Sequence, residues 1–419
     1  MNAPIIVIGA GLAAWTCVRE LRKLEASAGL AAAPITVVTG DSGDFYAKPS
    51  LSNAFAQSKS PAQLVTTPAA VMAQKMSVTL LAHTQVHAID TALRTISTDA
   101  GPLAYCQLVM ANGAQPIRVP IGGDQLLVAQ AVKTVNSLDD FALFHCTLQQ
   151  TATSDEPGAN TVTKHVLIMG AGLIGCEFAN DLVVAGVQVT VVDPSPRPLS
   201  ALLPSEASEQ LQAALAEHGV QWMLGTTVER IEAVAGVDAP SIGTPTYRVF
   251  LKSGGIVTVH ALLSAIGLRA NTLLASQSGI ACERGIVVNQ QLQTSADSVY
   301  AIGDAAQYAG AGTLPYVMPI MHAAKTLAQT LLGTPSSLVF PHMPVAIKTP
   351  ALPLLVLPPA IGSVGTWQAV PNAEPDANAH TISPTSQWQW RDADGAVRGF
   401  CLAGASTKFR QRHLDAMAL

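Results

Sequence analysis

The chain has 419 residues, 49% hydrophobic and only 12% charged, which gives apolar material for two or three cored domains and excludes a disordered or collagen-like polymer. Its formal net charge of -5 lacks the basic surplus with which a nucleic-acid binder neutralises phosphates. Mean hydropathy is +0.33, yet no run approaches the ~18 uninterrupted apolar residues of a membrane span, and the most apolar late run, 351–361, is broken by Pro353, Pro358 and Pro359.

The first predicted element is the strand Ile5-Ile6-Val7-Ile8. No basic segment or small-residue cleavage site precedes it, so no signal peptide is expected. The strand runs into Gly9-Ala10-Gly11-Leu12-Ala13-Ala14, then a helical stretch, then the β-branched run Ile35-Thr36-Val37-Val38-Thr39. A polar stretch, 150–163, reads as a loop. Beyond it the pattern returns: Val166-Leu167-Ile168-Met169 leads into Gly170-Ala171-Gly172-Leu173-Ile174-Gly175, a helix, and Gln188-Val189-Thr190-Val191-Val192-Asp193. Each copy is a strand, a GxGxx(G/A) turn, a helix and a strand.

The glycines have a physical reason. The first makes the tight turn, and the second lets a pyrophosphate approach the backbone. The third, Gly175 in one copy and Ala14 in the other, lets helix and strand pack closely. The helix N-terminus then offers unpaired N–H groups and a positive dipole end to the phosphates. One such turn is weak evidence, since glycine-rich turns also arise for structural reasons. Two in the same context make two dinucleotide sites the expectation. Asp193, 23 positions after Gly170, is placed to accept hydrogen bonds from an adenosine ribose, which favours NADH over NADPH; a turn cap before Pro194 is its plain structural alternative. The first copy has Thr39 at the aligned position, with Asp41 two residues later as a substitute.

The six cysteines are Cys17, Cys106, Cys146, Cys176, Cys282 and Cys401, and the closest pair is 30 positions apart. No CxxC occurs, so neither a zinc ribbon, an iron–sulfur ligand run nor a redox dithiol is present in the sequence. Most are expected to act as small buried hydrophobes in a soluble, reduced, cytoplasmic protein.

Further segments carry a resemblance. They are Tyr46-Ala47-Lys48-Pro49-Ser50-Leu51-Ser52, Ala111-Asn112-Gly113-Ala114-Gln115-Pro116, Gly175-Cys176-Glu177-Phe178-Ala179-Asn180-Asp181-Leu182, Ser264-Ala265-Ile266-Gly267-Leu268-Arg269-Ala270-Asn271, Ile302-Gly303-Asp304, Tyr316-Val317-Met318-Pro319 and Lys348-Thr349-Pro350. Together with the paired glycine turns they resemble the pyridine-nucleotide-dependent flavoprotein reductases of the glutathione-reductase structural class, most of all the rubredoxin reductases. The resemblance runs from Ile5 to about Leu354, with Asn112 in place of the family's usual Thr and Thr39 in place of its usual acid.

The resemblance implies an α/β fold with two Rossmann-like dinucleotide-binding domains and a small C-terminal α+β domain. The FAD domain is expected to be split, 1–112 plus 267–330, around an NAD domain at 113–266, with 331–419 as the C-terminal domain. It implies noncovalent FAD held by Gly9, Gly11, Ala14, Thr39, Asp41, Lys48, Pro49, Ala111, Gly113, Asp304, Met318 and Pro319, and NADH held by Gly170, Gly172, Gly175 and Asp193. Hydride passes to the flavin, and electrons then leave singly to an acidic iron carrier such as rubredoxin. Relatives that use sulfur beside the flavin carry a CxxxxC, a CxxC or a Cys just after the first βαβ unit; Tyr46–Ser52 contains none. Lys48 and Glu177 are the candidate catalytic pair, and Pro319 is expected to open a helix aimed at the flavin. His83, His87 and His322 read as structural, because hydride transfer needs no general acid. Lys48, Lys325 and Lys348 are candidates for a basic docking rim on an acidic chain. A reductase of a flavorubredoxin or oxygenase ferredoxin, and a non-enzymatic flavin-bound NADH sensor, remain as alternatives.

Overall fold

The computed structural model describes residues 3–149, 164–234, 246–360, 362–371 and 385–417. The loop expected at 150–163 lies outside them. The chain divides into two compact units: Met1–Ser50, Ala62–Ile117 and Leu268–Met343 form the first, and Leu51–Pro61, Arg118–Gly267 and Pro344–Leu419 the second. The helix Val317–Leu331 completes the first unit, and the stretch from Pro344 onward belongs with the second.

The first unit is built on five parallel strands in the order Val299–Ala301, Gln107–Met110, Ile5–Ile8, Ile35–Val38, Thr79–Leu81. Ile5–Ile8 is central and buried on both faces, which is why it reads as an unbroken apolar run and not as an alternation. The helix Leu12–Ser27 buries Ala13, Ala14, Cys17, Val18 and Leu21. It packs on the helix Val317–Leu331, whose buried face carries Ala323, Ala324, Leu327 and Ala328. The small side chains on both helices allow a close approach. A three-stranded antiparallel meander, Val86–Asp90, Thr95–Thr98 and Gly101–Ala104, leads back to the strand Gln107–Met110.

The second unit repeats this plan. Its parallel sheet runs Val132–Lys133, Ala261–Ser264, His165–Met169, Gln188–Asp193, Val220–Leu224. Its meander is Val228–Ala233, Tyr247–Leu251 and Ile256–Val259, and it too leads into the strand beside the first. The duplication therefore extends well beyond the glycine turns. The same unit holds a five-stranded antiparallel sheet, Val345–Ile347, Leu354–Leu357, Val397–Ala403, Gln387–Asp392, Gly365–Ala369. Leu355, Leu357, Phe400 and Leu402 form its core under Leu414 and Met417 of the helix Arg410–Met417. The two crossover segments, Ala114–Pro116 and Leu268–Ala270, pair antiparallel with each other. The expected fold class, two Rossmann-like parts and a C-terminal α+β part, matches this architecture.

Candidate functional site: two dinucleotide cradles

In an open parallel sheet ligands bind at the carboxyl ends of the strands, where the chain reverses. In the first unit three neighbouring strands deliver sequence-predicted residues there: Gly9 and Gly11 follow Ile8, Ala111 and Gly113 follow Met110, and Gly303-Asp304 follow Ala301. Close backbone approach holds these turns together. Gly9 has φ +104°, and a Cβ on it would collide with the Ala111 carbonyl oxygen. Gly303 has φ +77°, and a Cβ there would stand 2.7 Å from that of Ala13. Ala14, the third position of the motif, is fully buried. Asn112 donates from Nδ2 to the Asn271 carbonyl at 2.8 Å, and Asn271 N–H donates to Gly113 O at 3.0 Å, so the two crossovers are stapled. The buried Asn112 Oδ1 has no hydrogen-bond partner among the described residues.

The second glycine behaves differently. A Cβ on Gly11 would meet nothing within 4 Å, and Gly11 caps the helix Leu12–Ser27 with no side-chain hydrogen bond. Open space over uncapped helix N–H groups is the form of a phosphate cradle. Asp304 opens a 3-10 turn and makes no hydrogen bond among the described residues. Burial pushes its carboxyl above the usual carboxylate range, and the Lys48 charge opposes that rise. An acceptor in this position suits a hydroxyl-bearing ligand. Lys48 and Pro49 open the 3-10 helix Lys48–Asn53.

Thr39 and Asp41 lie at the end of the next strand, and much of their capacity is used internally. The Thr39 hydroxyl donates to Asp41 Oδ1 at 2.7 Å, and the same oxygen accepts from Gly43 N–H at 2.9 Å. Met318 and Pro319 sit in the first turn of a helix that starts at Val317, two residues earlier than Pro319. Proline fits anywhere in that turn, because none of its N–H groups has an intrahelical acceptor. Val317 and Met318 are exposed, and Pro319 is buried.

The second unit shows the same construction. Gly170 has φ +104°, and a Cβ on it would stand 2.6 Å from the Ala265 carbonyl oxygen. A Cβ on Gly175 would strike the Gly170 carbonyl oxygen, so Ala is not tolerated where the first copy accepts Ala14. Gly172 is open and caps the helix Leu173–Val184 without a side-chain bond. Asp193 works on the turn itself: Oδ2 accepts from Ala171 N–H and Oδ1 from Ser195 N–H, both at 2.7 Å. The structural alternative for Asp193 is therefore realised, and its remaining lone pairs stay available to a ribose.

Lys48 belongs to the first unit and Glu177 to the second. Glu177 Oε2 accepts from Ser52 Oγ at 2.6 Å, and Oε1 accepts from Lys348 N–H at 3.0 Å. Neither Ser52 nor the nearby Asp181 and Asn180 had been singled out from the sequence. The available signal was three polar residues, 177, 180 and 181, on one face of an otherwise apolar helix. Burial raises Cys176 above its ordinary value, with Asp193 and Glu177 adding to the rise, and burial with Glu20 pushes Cys17 up to about 12. No disulfide forms among the described residues, and Cys106 and Cys146 are the exposed cysteines.

Comparison with known proteins agrees with this geometry. The family model for pyridine nucleotide-disulphide oxidoreductases matches residues 3–329, and the model for the rubredoxin binding C-terminal domain matches residues 337–417. The chain is 39% identical over 408 residues to rubredoxin-NAD(+) reductase of Acinetobacter baylyi, covering 96% of this chain and 94% of that one. It is 38% identical over 404 residues to nitric oxide reductase FlRd-NAD(+) reductase of Aeromonas salmonicida, with the same coverage. Among solved structures it shares the fold of putidaredoxin reductase in its covalent complex with putidaredoxin (TM-score 0.81, 22% identity, 100% of this chain and 93% of that one). It also shares the fold of a ferredoxin reductase from Rhodopseudomonas palustris (TM-score 0.80, 21% identity, 99% and 95%). The match of the family model over residues 3–329, with a relative 39% identical over 96% of the chain, shows that this chain belongs to the pyridine nucleotide-disulphide oxidoreductase family, and the match over 337–417 gives it a rubredoxin binding C-terminal domain.

Proposed function

We propose that the chain is an NADH-dependent flavoprotein reductase that holds FAD noncovalently in the first cradle, takes NADH in the second, and delivers electrons to a rubredoxin-type iron protein. The observation that carries this reading is the pair of cradles, each with an open second glycine over an uncapped helix. Bound there, FAD supplies the chemistry the side chains lack: it accepts two electrons as hydride and releases them one at a time. The chain's own work is binding and orientation. Gly11 and the helix behind it receive the pyrophosphate, Asp304 accepts from a ligand hydroxyl, and the first turn at Met318-Pro319 brings a positive helix end to the flavin. Lys48 holds the flavin's reacting edge, and Glu177 borders the nicotinamide. If NADH reduces the flavin of Lys48→Met at the unchanged rate, Lys48 has no such role.

With no CxxC and no disulfide among the described residues, electrons leave the flavin directly, without a sulfur relay. Such thiols suit a reducing compartment, and we place the enzyme in the cytoplasm. No described helix is long and apolar enough to cross a membrane. Lys325 of the first unit and Lys348 of the second are each exposed, and each is a candidate contact for an acidic partner on a chain of net charge -5. The test is anaerobic mixing with NADH followed by oxidised rubredoxin at increasing salt. Fast flavin bleaching, fast re-oxidation and a second-order transfer rate that falls with ionic strength are expected. A long-lived charge-transfer complex that rubredoxin does not re-oxidise would make the chain a sensor, and a salt-independent rate would remove the basic rim. The near-equal similarity to the Aeromonas relative supports a second reading, with FlRd as the partner. The kcat/KM values for the two iron proteins, measured side by side, decide between them.

A further inference from the structure

One helix of the second unit grips two distant segments of chain. Glu177, Asn180 and Asp181 lie on one face of Leu173–Val184, and each accepts hydrogen bonds from outside the helix. Asp181 is 2% exposed. Its Oδ2 accepts from Phe55 N–H at 2.9 Å and its Oδ1 from Ala56 N–H at 2.8 Å. The Phe55 ring packs against Phe141 and Phe144 with centroids 5.3 and 5.7 Å apart. Asn180 Oδ1 takes Ala351 N–H at 3.0 Å.

This is an expensive way to fix a loop. Asp181 is a buried carboxylate with no ion-pair partner among the described residues, and an apolar side chain on this helix face would avoid the desolvation. What the carboxylate achieves is definition. Two consecutive backbone N–H groups, those of Phe55 and Ala56, bond to its two oxygens, so this stretch of backbone has one place to be. Ser52, three residues before Phe55, is 5% exposed, and its hydroxyl meets Glu177 Oε2 at 2.6 Å. The Lys348 N–H meets the other oxygen. A free glutamate samples many rotamers, and two fixed donors on its two oxygens leave it one.

We infer that Asp181 and Ser52 are positioning residues for hydride transfer: Asp181 fixes the 55–56 backbone, which places the Ser52 hydroxyl, which sets the Glu177 carboxylate at the nicotinamide. The inference rests on the reading that NADH binds in the second cradle with Glu177 beside it. Burial raises the Asp181 carboxyl above the usual range, and the backbone N–H groups around it pull it back, which accords with a group kept for its acceptors in spite of its charge.

The test compares Asp181→Asn, Ser52→Ala and Ser52→Thr with the unaltered protein. Hydrogen exchange of amides 55–56, in protein free of FAD and NADH, is expected to speed up in Asp181→Asn and not in Ser52→Ala. In the FAD-loaded protein, anaerobic NADH titration of the reduction rate separates the limiting rate from NADH affinity. Asp181→Asn and Ser52→Ala are expected to lower the limiting rate by about 10- to 100-fold, the scale of a misplacement near 1 Å. NADH affinity and re-oxidation by rubredoxin hold. Ser52→Thr, which keeps the hydroxyl, restores most of the rate. Faster exchange at 55–56 with an unchanged limiting rate would overturn the inference and leave Asp181 a structural clamp. Equal rates for Ser52→Ala and Ser52→Thr would overturn it too, and need no Asp181 variant to fold. If NADH does not reduce the flavin of the unaltered protein, the failure lies with the proposed function and not with the positioning residues.

Discussion

Asp304 shows how a binding group is carried at the expense of the empty protein. Its carboxyl sits above the usual value of 3.8 chiefly through burial, with Lys48 opposing, and no described hydrogen bond compensates. A carboxyl whose folded value exceeds its unfolded value holds its proton more readily in the fold. Its ionised form therefore costs stability above the folded value, and that cost disappears as pH falls below the unfolded one. Asp304→Asn is accordingly expected to raise the melting temperature of the FAD-free protein at about pH 7 and not at about pH 3, while weakening FAD binding. Melting curves across pH and an FAD titration check both halves. A variant less stable at neutral pH, with undiminished FAD affinity, contradicts the assignment. At this scale the glycines were legible, because GxGxx(G/A) is a local demand of backbone geometry. Ser52 and Asp181 were not, because their partners lie 125 and 126 positions away.

At the scale of elements, the apolar runs and their order were readable, since strands buried on both faces announce themselves as Ile5–Ile8 and His165–Met169 do. The two meanders were not, because their strands are short, half exposed and separated by turns that carry no strong signal. Nor was the attachment within the second unit of the C-terminal sheet that holds Val345–Ile347 and Leu354–Leu357, for it depends on side chains. Trp388 is buried, and its Nε1–H donates to Glu206 Oε2 at 2.9 Å on the helix Ser205–Glu217; from that helix Gln210 Nε2 donates to Thr385 O at 2.7 Å. Removing the acceptor leaves an indole N–H without its partner. Glu206→Ala is expected to destabilise the second unit by about 1 kcal/mol in urea unfolding. An unchanged midpoint with an unchanged slope would show that the bond holds nothing.

Across the whole molecule, one construction is used twice for two nucleotides. In both copies the first glycine is locked by a neighbouring carbonyl and the second faces open space, at Gly9 and Gly11 and at Gly170 and Gly172. The third position differs: Ala14 is accepted in one, while Gly175 has no room for a methyl group in the other. The division of labour, FAD in the first and NADH in the second, has a direct test in the paired substitutions Gly11→Val and Gly172→Val. Both glycines have extended φ/ψ angles that valine adopts without strain, and neither Cβ would meet protein, so the fold tolerates both while the added side chain fills the cradle. The decisive measurement is bound flavin after purification and its bleaching by NADH under anaerobic conditions. The expected result is that Gly11→Val is colourless, whereas Gly172→Val keeps its FAD and NADH no longer bleaches it. FAD retained by Gly11→Val, or lost from Gly172→Val alone, would contradict the account.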